Sequence, residues 1–321
     1  MELRQLRYLI GVHESGGVLA ASRTLHIAQP ALSHSIATLE DELGTKLFVR
    51  TNRGMTLTDD GRAMVEHARV ILADVERAKN SVRSTNAQVR GEVSLGLPTT
   101  VALIATLPIL RATRELYPDI QLKIVESHSG FLGEWLRSGR LDLSVLFLQS
   151  SEEAFDQRPL LEERLALVTH ADEASLSKSI SLHHLAQRPM VLPAKEHGLR
   201  RIVDEACARQ GIALNVVAEI DSLPNIKKVV QAGMASTILS PGAVAEEVGS
   251  GVLALATITK PYLPRTVAAA TSMTRPLTPA TAAMLSLVEE QIQGLVRAGL
   301  WPAKWIGEAA TIAVGRREAS A

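Results

Sequence analysis

The sequence predicts an α/β protein in two parts, a mainly helical N-terminal segment followed by a larger body of alternating strands and helices. Three observations predict it. The chain has 321 residues, which at about 150 residues per domain gives roughly two domains. Apolar residues make up 46% and charged residues 21%, enough to build packed cores rather than a disordered chain. The pattern also changes near Gly91. Short apolar runs at Val93–Leu97, Ile120–Val125, Leu141–Leu146, Met190–Leu192, Leu214–Ile220, Thr237–Leu239 and Val267–Ala270 are separated by helical patterns such as Thr100–Leu116, Leu199–Gln210 and Leu223–Ala232. That alternation predicts largely parallel sheets.

Composition removes several function classes. Lys plus Arg and Asp plus Glu both total 34, so whole-chain charge does not point to a polyanionic partner. Residues 1–90 carry 12 basic and 10 acidic side chains, a slight excess that permits DNA contact without demanding it. The single cysteine, Cys207, excludes an internal disulfide and a Cys-rich zinc site. Three Trp, three Tyr and four Phe are few for stacking on single-stranded nucleic acid. Met1-Glu2-Leu3-Arg4-Gln5-Leu6 does not read as a leader, and apolar stretches fall short of the ~20 residues of a membrane span. A cytoplasmic protein without membrane association is expected.

The first element follows from Leu3, Leu6, Leu9 and Ile10 on one helical face, ended by Gly16-Gly17. A second short helix over Val18–Leu25 is expected to pack through Ala20, Ala21 and Leu25. Adjacent alanines allow helices to approach closely. His26-Ile27-Ala28-Gln29 forms a turn, and Pro30 suits the first helical position, where its missing N–H is not needed. The third helix runs to about Leu43 and stops at Gly44, a natural C-terminal cap. Ala31, Leu32, Ile36 and Leu39 are expected on its buried side, with Gln29, Ser33, His34 and Ala37 opposite. Small polar residues at the start of such a helix can hydrogen-bond base edges in a major groove. Lys46–Arg50 and Met55–Leu57 form a hairpin whose tip carries Arg53, placed to reach phosphate or a minor groove. On periodicity alone, an ordinary three-helix bundle remains open.

The exact string is more specific. Ala20-Ala21, Leu25, Gln29-Pro30-Ala31-Leu32-Ser33, Ile36, Leu39-Glu40, Leu43-Gly44, Leu47-Phe48 and Arg50, continued by Arg53-Gly54, Leu57-Thr58 and Gly61, resemble the winged helix-turn-helix of LysR-type transcriptional regulators. Leu25–Pro30 also resembles the nitrogen-assimilation-control branch of that family. Ala28 departs from the pattern where many members carry a Ser or Thr cap, a loss of about 1 kcal/mol. The resemblance implies that Gln29, Pro30, Ser33, His34 and Arg53 contact double-stranded promoter DNA.

From Thr58 to about Gln88 the pattern is helical and without proline. Met64, Ala68, Ile71, Val75, Ala78 and Val82 recur at heptad spacing, the mark of a two-helix seam. Mixed charges flank them at Arg62, Glu66, Arg69, Asp74, Glu76, Arg77 and Lys79. The alternative is a helix packed on its own domain. The resemblance implies a homodimer through this helix and a homotetramer, a dimer of dimers, on DNA.

Beyond residue 91 no catalytic pattern appears: no Gly-x-Gly-x-x-Gly, no Walker loop, no Gly-x-Ser-x-Gly. His183-His184 lacks the i, i+4 spacing of helical metal ligands, and Cys207 reads as a packed thiol. An enzyme is not expected, nor any cofactor or metal. A cleft is. Thr99 and Thr100 follow the first strand at a helix N-terminus, a place for an anion or simply a cap. Glu126–Gly130 ends the second strand in the same way, and ligands of open α/β folds sit outside the carboxyl ends of strands. Glu219-Ile220-Asp221-Ser222, Lys227, Val230, Ala232-Gly233 and Ile238–Pro241 resemble the family's effector-binding domain, itself similar to type 2 periplasmic binding proteins. The resemblance implies two lobes, 91–161 with 267–300 and 162–266, crossing near Leu161–Leu165 and Arg265–Val267. It places Thr99, Thr100 and His128 in the cleft from the first lobe, and Leu199 to Ile202 and Ser222 from the second. It further implies a small organic metabolite as effector and contact with RNA polymerase. The parts are then 1–58 for the winged domain, 59–90 for the linker helix, 91–300 for the effector domain and 301–321 for a tail without clear pattern. The rival readings are a solute-binding protein without a DNA role and an enzyme with a fused helical domain.

Overall fold

The computed structural model describes residues 1–51, 54–83, 89–148, 155–173, 178–195 and 197–307. The chain divides into two compact units, residues 1–87 with 138–140 and residues 88–137 with 141–321.

In the first unit, α1 (Leu3–Glu14), α2 (Val18–Thr24) and α3 (Gln29–Leu43) precede the hairpin β1 (Phe48–Thr51) and β2 (Gly54–Leu57) and the long α4 (Asp59–Arg83). The core takes Leu6, Leu9 and Val12 from α1, Ala21 from α2, and Leu32, Ile36 and Leu39 from α3. Ala20 and Ala31, expected inside, are exposed. Each lies one residue, about 100° of helix, from the row that is buried. Gly16 adopts φ 73° between α1 and α2, a conformation few other residues accept.

The second unit begins with β3 (Gly91–Pro98), α5 (Thr99–Leu116), β4 (Ile120–Ser127), α6 (Ser129–Arg137), β5 (Leu143–Leu148) and β6 (Phe155–Arg164). The chain then builds a second lobe from β7 (Ala166–His170), β8 (Ser179–Ser181), α7 (Leu182–Leu185), β9 (Pro189–Leu192), α8 (Gly198–Arg209), β10 (Asn215–Glu219), α9 (Leu223–Gln231), β11 (Thr237–Leu239), α10 (Ala245–Gly249) and β12 (Leu253–Thr259). It returns through β13 (Pro264–Ser272), α11 (Pro279–Arg297) and β14 (Ala303–Trp305).

The sheets are mixed, which corrects the expectation of largely parallel ones. The first lobe has the order β14-β6-β13-β5-β3-β4. Only β3 with β4 and β3 with β5 are parallel, while β13 runs antiparallel to both β5 and β6. The second lobe has β11-β7-β12-β8, with β7 antiparallel to both neighbours, and a separate parallel pair β9-β10. The reason is the path between lobes. The outgoing β6 and returning β13 lie side by side from Pro264↔Arg164 to Ser272↔Phe155, and two passes in opposite directions pair antiparallel. Leu165 N–H donates to the Leu263 carbonyl (2.9 Å) where they leave the sheet.

Each lobe has its own core. The first gathers Val93, Leu95, Leu97, Ile109, Val145, Val267, Met284 and Val288, and the second Val168, Met190, Val191, Val203, Val230 and Ile238. Gly96 sits inside β3 because Leu132, Leu141 and Ser144 crowd it. A Cβ there would lie 2.8 Å from Ser144 Oγ.

Residues 301–306 are not a tail. Trp301 is 1% exposed within the first-lobe core, and β14 pairs with β6. Of residues 307–321, expected to be disordered, Gly307 is placed by its N–H to the Leu160 carbonyl (3.0 Å), and 308–321 lie outside the described residues. Trp301 Nε1 also donates to Glu163 Oε2 (2.9 Å). Trp301→Ala is therefore expected to destabilise the effector domain by about 3–5 kcal/mol, the usual range for a large buried aromatic. Urea denaturation checks this, and a loss below about 1 kcal/mol would show that the segment is peripheral.

Candidate nucleic-acid interface and inter-lobe cleft

The winged unit presents α3 with two distinct faces. Leu32, Ile36 and Leu39 are buried, whereas Gln29, Pro30 and His34 are exposed and Ser33 is half-buried. The cap residue Ala28 offers no side-chain acceptor, so the first N–H groups of α3 remain available at the positive end of the helix dipole. Gly44 ends the helix at φ 69°.

A buried carboxylate couples α3 to the wing. Glu40, 8% exposed, accepts from Leu47 N–H (2.9 Å) and Phe48 N–H (3.3 Å) through Oε1. Its Oε2 accepts from Lys46 Nζ (2.7 Å), and this bond raises the Lys46 pKa. Thr58 Oγ1 donates to the Lys46 carbonyl (2.7 Å) and accepts from Gly61 N–H (2.9 Å), capping α4. A Cβ on Gly61 would overlap the Leu47 carbonyl, so α4 enters against the wing's base only with glycine there. The tip, residues 52 and 53, lies outside the described residues, and with it Arg53.

The first half of α4 serves its own unit. Val65 and Ala68 are buried in the winged core, and Met64, Ile71 and Leu72 pack partly against it. Arg69 reaches Glu14 (3.1 Å) on α1. Of the six seam positions, Ala68 is 0% exposed and has no surface to offer a second chain. Val75 is half-buried and Ala78 exposed, while the Val82 side chain lies outside the described set.

In the second unit a cleft opens between the lobes. It is lined by Pro98, Thr99, Thr100, Ser127, His128, Ser129 and Phe147 from the first lobe, and by Pro193, His197, Leu199, Asp221, Leu223, Ile226 and Leu239 from the second. The space open to the centre of a water molecule is about 40 Å³, room for about three waters. Thr99, Thr100 and His128 thus line the cleft as expected from the sequence. Ile202 packs against the second-lobe core because α8 turns that face inward. Ser222 is the residue before α9 and is not among the lining, although its neighbours Asp221 and Leu223 are.

Sequence reasoning missed His197, Asp221, Phe147 and the pair behind them. His197 caps α8, its Nδ1 accepting from Leu199 N–H (3.1 Å). Its ring meets that of His128 edge-on, centroids 4.8 Å apart. Burial, then the nearness of His128 and Arg265, lowers its pKa to about 4 against a smaller opposing pull from Asp221. Behind Thr100 and Phe147, Arg265 and Glu163 form an ion pair, 1% and 0% exposed. Arg265 Nε donates to Glu163 Oε1 (2.7 Å), Nη2 reaches Thr100 Oγ1 (3.4 Å), and the guanidinium lies 3.7 Å from the Phe147 ring centroid. Glu163 Oε2 also accepts from Ser240 Oγ (2.6 Å). The only signal in sequence was the placing of Arg265 in a crossing strand.

Among the described residues no cluster of three or more His, Cys, Asp or Glu could hold a metal. No described helix is long and apolar enough to cross a membrane. Cys207 is buried, which pushes its thiol up to about 11. His184 Nδ1 is hydrogen-bonded to Ser181 Oγ (2.7 Å).

A helical trio with a wing in one unit and a two-lobed domain with a cleft in the other define a class of helix-turn-helix regulators. The lysR-family bacterial regulatory helix-turn-helix model matches residues 3–62, and the LysR substrate binding domain model matches residues 86–293. The chain is 34% identical over 264 residues to the nitrogen assimilation regulatory protein nac of Klebsiella aerogenes, covering 82% of this chain and 86% of that one. A full-length cysteine variant of OxyR from Pseudomonas aeruginosa superposes with a TM-score of 0.71 at 23% identity, over 96% of this chain and 99% of that one. Full-length CbnR complexed with its target DNA gives 0.70 at 24% identity, over 91% and 100%. The chain belongs to the LysR family of transcriptional regulators and carries its helix-turn-helix DNA-binding domain.

The wing's dependence on Glu40 is testable. Glu40→Ala strands two backbone N–H groups and is expected to cost about 1–3 kcal/mol. Glu40→Gln keeps one acceptor oxygen and loses less. Thermal unfolding of both variants checks the order, and equal losses would contradict the acceptor role.

Proposed function

We propose that this regulator binds double-stranded promoter DNA as a homotetramer, a dimer of dimers, and alters transcription when a small organic metabolite occupies the inter-lobe cleft. Gln29, Pro30, Ser33 and His34 of α3 read base edges and nearby backbone, and Arg53 reaches from the wing. The observation that carries this is the exposed row on α3 opposite its buried row. CbnR, which shares the fold, was solved on its target DNA. Dimerisation supplies the second recognition helix, since two helices related by a two-fold axis read half-sites about one turn apart. The distal seam positions Val75, Ala78 and Val82 form the contact, with Met64 and Ile71 at its margin. The winged domain ends near residue 58, α4 links it to the effector domain, and the regulator acts in the cytoplasm through contact with RNA polymerase, without enzymatic turnover.

Thr99, Thr100 and His128 hold the effector from the first lobe, and Leu199, His197 and Asp221 from the second. Ile202 and Ser222 shape the wall from behind. A cleft of about 40 Å³ is too narrow for an organic metabolite, so binding requires the lobes to part at the crossing strands β6 and β13. The effector acts only to the extent that it binds two arrangements of the tetramer differently.

Ser33→Ala or Gln29→Ala is expected to weaken specific operator binding by about 1–3 kcal/mol while leaving random-sequence binding nearly unchanged. Equal loss on both DNAs, measured by anisotropy at fixed salt, would remove base readout from this helix. Val75→Asp is expected to halve the assembly in sedimentation at an unchanged melting temperature of the winged unit, and an intact tetramer would disprove the seam. Footprinting on the protein's own upstream DNA with a metabolite panel tests the effector. One compound is expected to shorten the protected region.

A further inference from the structure

A second groove lies between the lobes, and it shares no lining residue with the cleft. Its walls come from β6, from β14 with Pro302 just before it, and from Pro241 and Thr257 of the second lobe. The space open to the centre of a water molecule is about 370 Å³, within the size range of small-molecule sites. The cleft offers about 40 Å³ by the same measure.

Three charged side chains line the groove: Glu162, Arg164 and Lys304. Strand alternation explains why they meet. Residues two apart on β6 share a face, so Glu162 and Arg164 point away from the buried Glu163 between them. Lys304 stands directly opposite Glu162 in the β14–β6 ladder, and opposed residues of adjacent strands share a face about 5 Å apart. Opposite charges so placed ordinarily pair, as Arg158 of β6 does with Glu289 (3.4 Å). Here they do not. Among the described residues the side chains of Glu162 and Lys304 have no ionic or hydrogen-bonded partner. The Arg164 guanidinium lies over the Tyr262 ring, 4.3 Å from its centroid, without a carboxylate. The remaining lining is uncharged, so the groove carries two cations and one anion, a net single positive charge.

We propose that this groove binds an α-amino dicarboxylate, with one carboxylate on Arg164, the other on Lys304 and the ammonium on Glu162. The charges then cancel, because such a ligand carries two negative charges and one positive. Arg164 offers a planar fork of donors that matches a carboxylate, and Lys304 a compact point charge. Thr257 adds a hydroxyl from the second-lobe wall, and Pro241 and Pro302 add rigid apolar surface without backbone donors. An amino acid with one carboxylate leaves a cation unmatched, and a dicarboxylate without the ammonium leaves Glu162 facing like charge. Because the walls belong to both lobes, a ligand bridging them favours the lobe spacing that lets it do so. No covalent bond changes. The site does not depend on what the cleft binds.

The test is calorimetry on the full-length protein, with L-aspartate and L-glutamate as separate probes and succinate and L-alanine as controls. One site per chain is expected for at least one amino dicarboxylate. Both controls are expected to bind more weakly by about tenfold or more, the weight of one charge-assisted hydrogen bond. Glu162→Gln and Lys304→Gln are each expected to weaken binding by a similar factor at an unchanged melting temperature. Lys304→Arg, which keeps the charge, is expected to retain it. Equal binding of succinate removes the ammonium contact, equal binding of L-alanine removes the second carboxylate, and either overturns the proposal. Undiminished binding in either Gln variant puts the ligand elsewhere and overturns it too. Absence of binding by both amino dicarboxylates overturns it outright, and each of these failures leaves the reading of the cleft standing.

Discussion

The Glu163–Arg265 pair is the constraint on which the effector domain depends. Removing a carboxylate and a guanidinium from water costs several kcal/mol per ion, and the effector domain accepts that cost between its crossing strands. Glu163 lies on the outgoing crossing strand and Arg265 on the returning one, directly across the β6–β13 ladder. The carboxylate is then satisfied from both sides, by Ser240 of the second lobe and by Trp301 of the first. Such a pair tolerates little displacement, because any partner lost leaves a buried charge uncompensated. The same guanidinium touches Thr100 and Phe147 at the cleft wall. Crossing strands, core and cleft wall therefore share one side chain.

The winged unit applies the same device at smaller scale. Glu40 is a buried acceptor on the helix that exposes Gln29, Pro30 and His34. Its Oε1 accepts from the Leu47 and Phe48 N–H groups at the start of β1, and its Oε2 from Lys46 Nζ. That fixes the wing relative to α3 without using any exposed residue of the helix. On α4, Val65 and Ala68 are buried in the winged core, with Met64 and Ile71 packed partly against it.

What the sequence showed, and what it hid, divides along local against distant order. Elements whose cause is local were legible. The 3.6-residue row Leu32, Ile36, Leu39 marked α3, Gly44 marked its end, and apolar runs marked β3 and β11. The crossing at Leu161–Leu165 and Arg265 was placed by resemblance and coincides with β6 and β13. Errors arose where one helical step decides the outcome. Ala31 sits beside the buried row rather than in it, and Ser222 stands between two lining residues. Ile202 was placed at the cleft by resemblance, and it packs against the second-lobe core. The deepest omissions are long-range. Glu163 and Arg265 are 102 residues apart, and His128 and His197 belong to different lobes. No period or spacing in one chain connects such residues. Trp301 was read as the start of a tail because its partners, β6 and Glu163, lie more than a hundred residues earlier.

The crossing also limits what kind of motion the cleft can perform. β6 and β13 are paired over nine registers with a single irregularity between Val267 and Ala268. Sliding one strand along the other by one residue would reverse the facing of every side chain on it, and would separate Glu163 from Arg265. Shear is therefore excluded by the same pair that stabilises the domain. What remains is bending where the strands leave the first-lobe sheet, at the Leu165 N–H to Leu263 carbonyl bond. Bending there moves His197 and Asp221 away from Thr100 and His128 while leaving Arg265 fixed to the first-lobe wall. A ligand that reaches both walls favours the spacing of the lobes that lets it do so, and one that touches the first-lobe wall alone is indifferent to that spacing. By population arithmetic only the former can shift an equilibrium between lobe spacings.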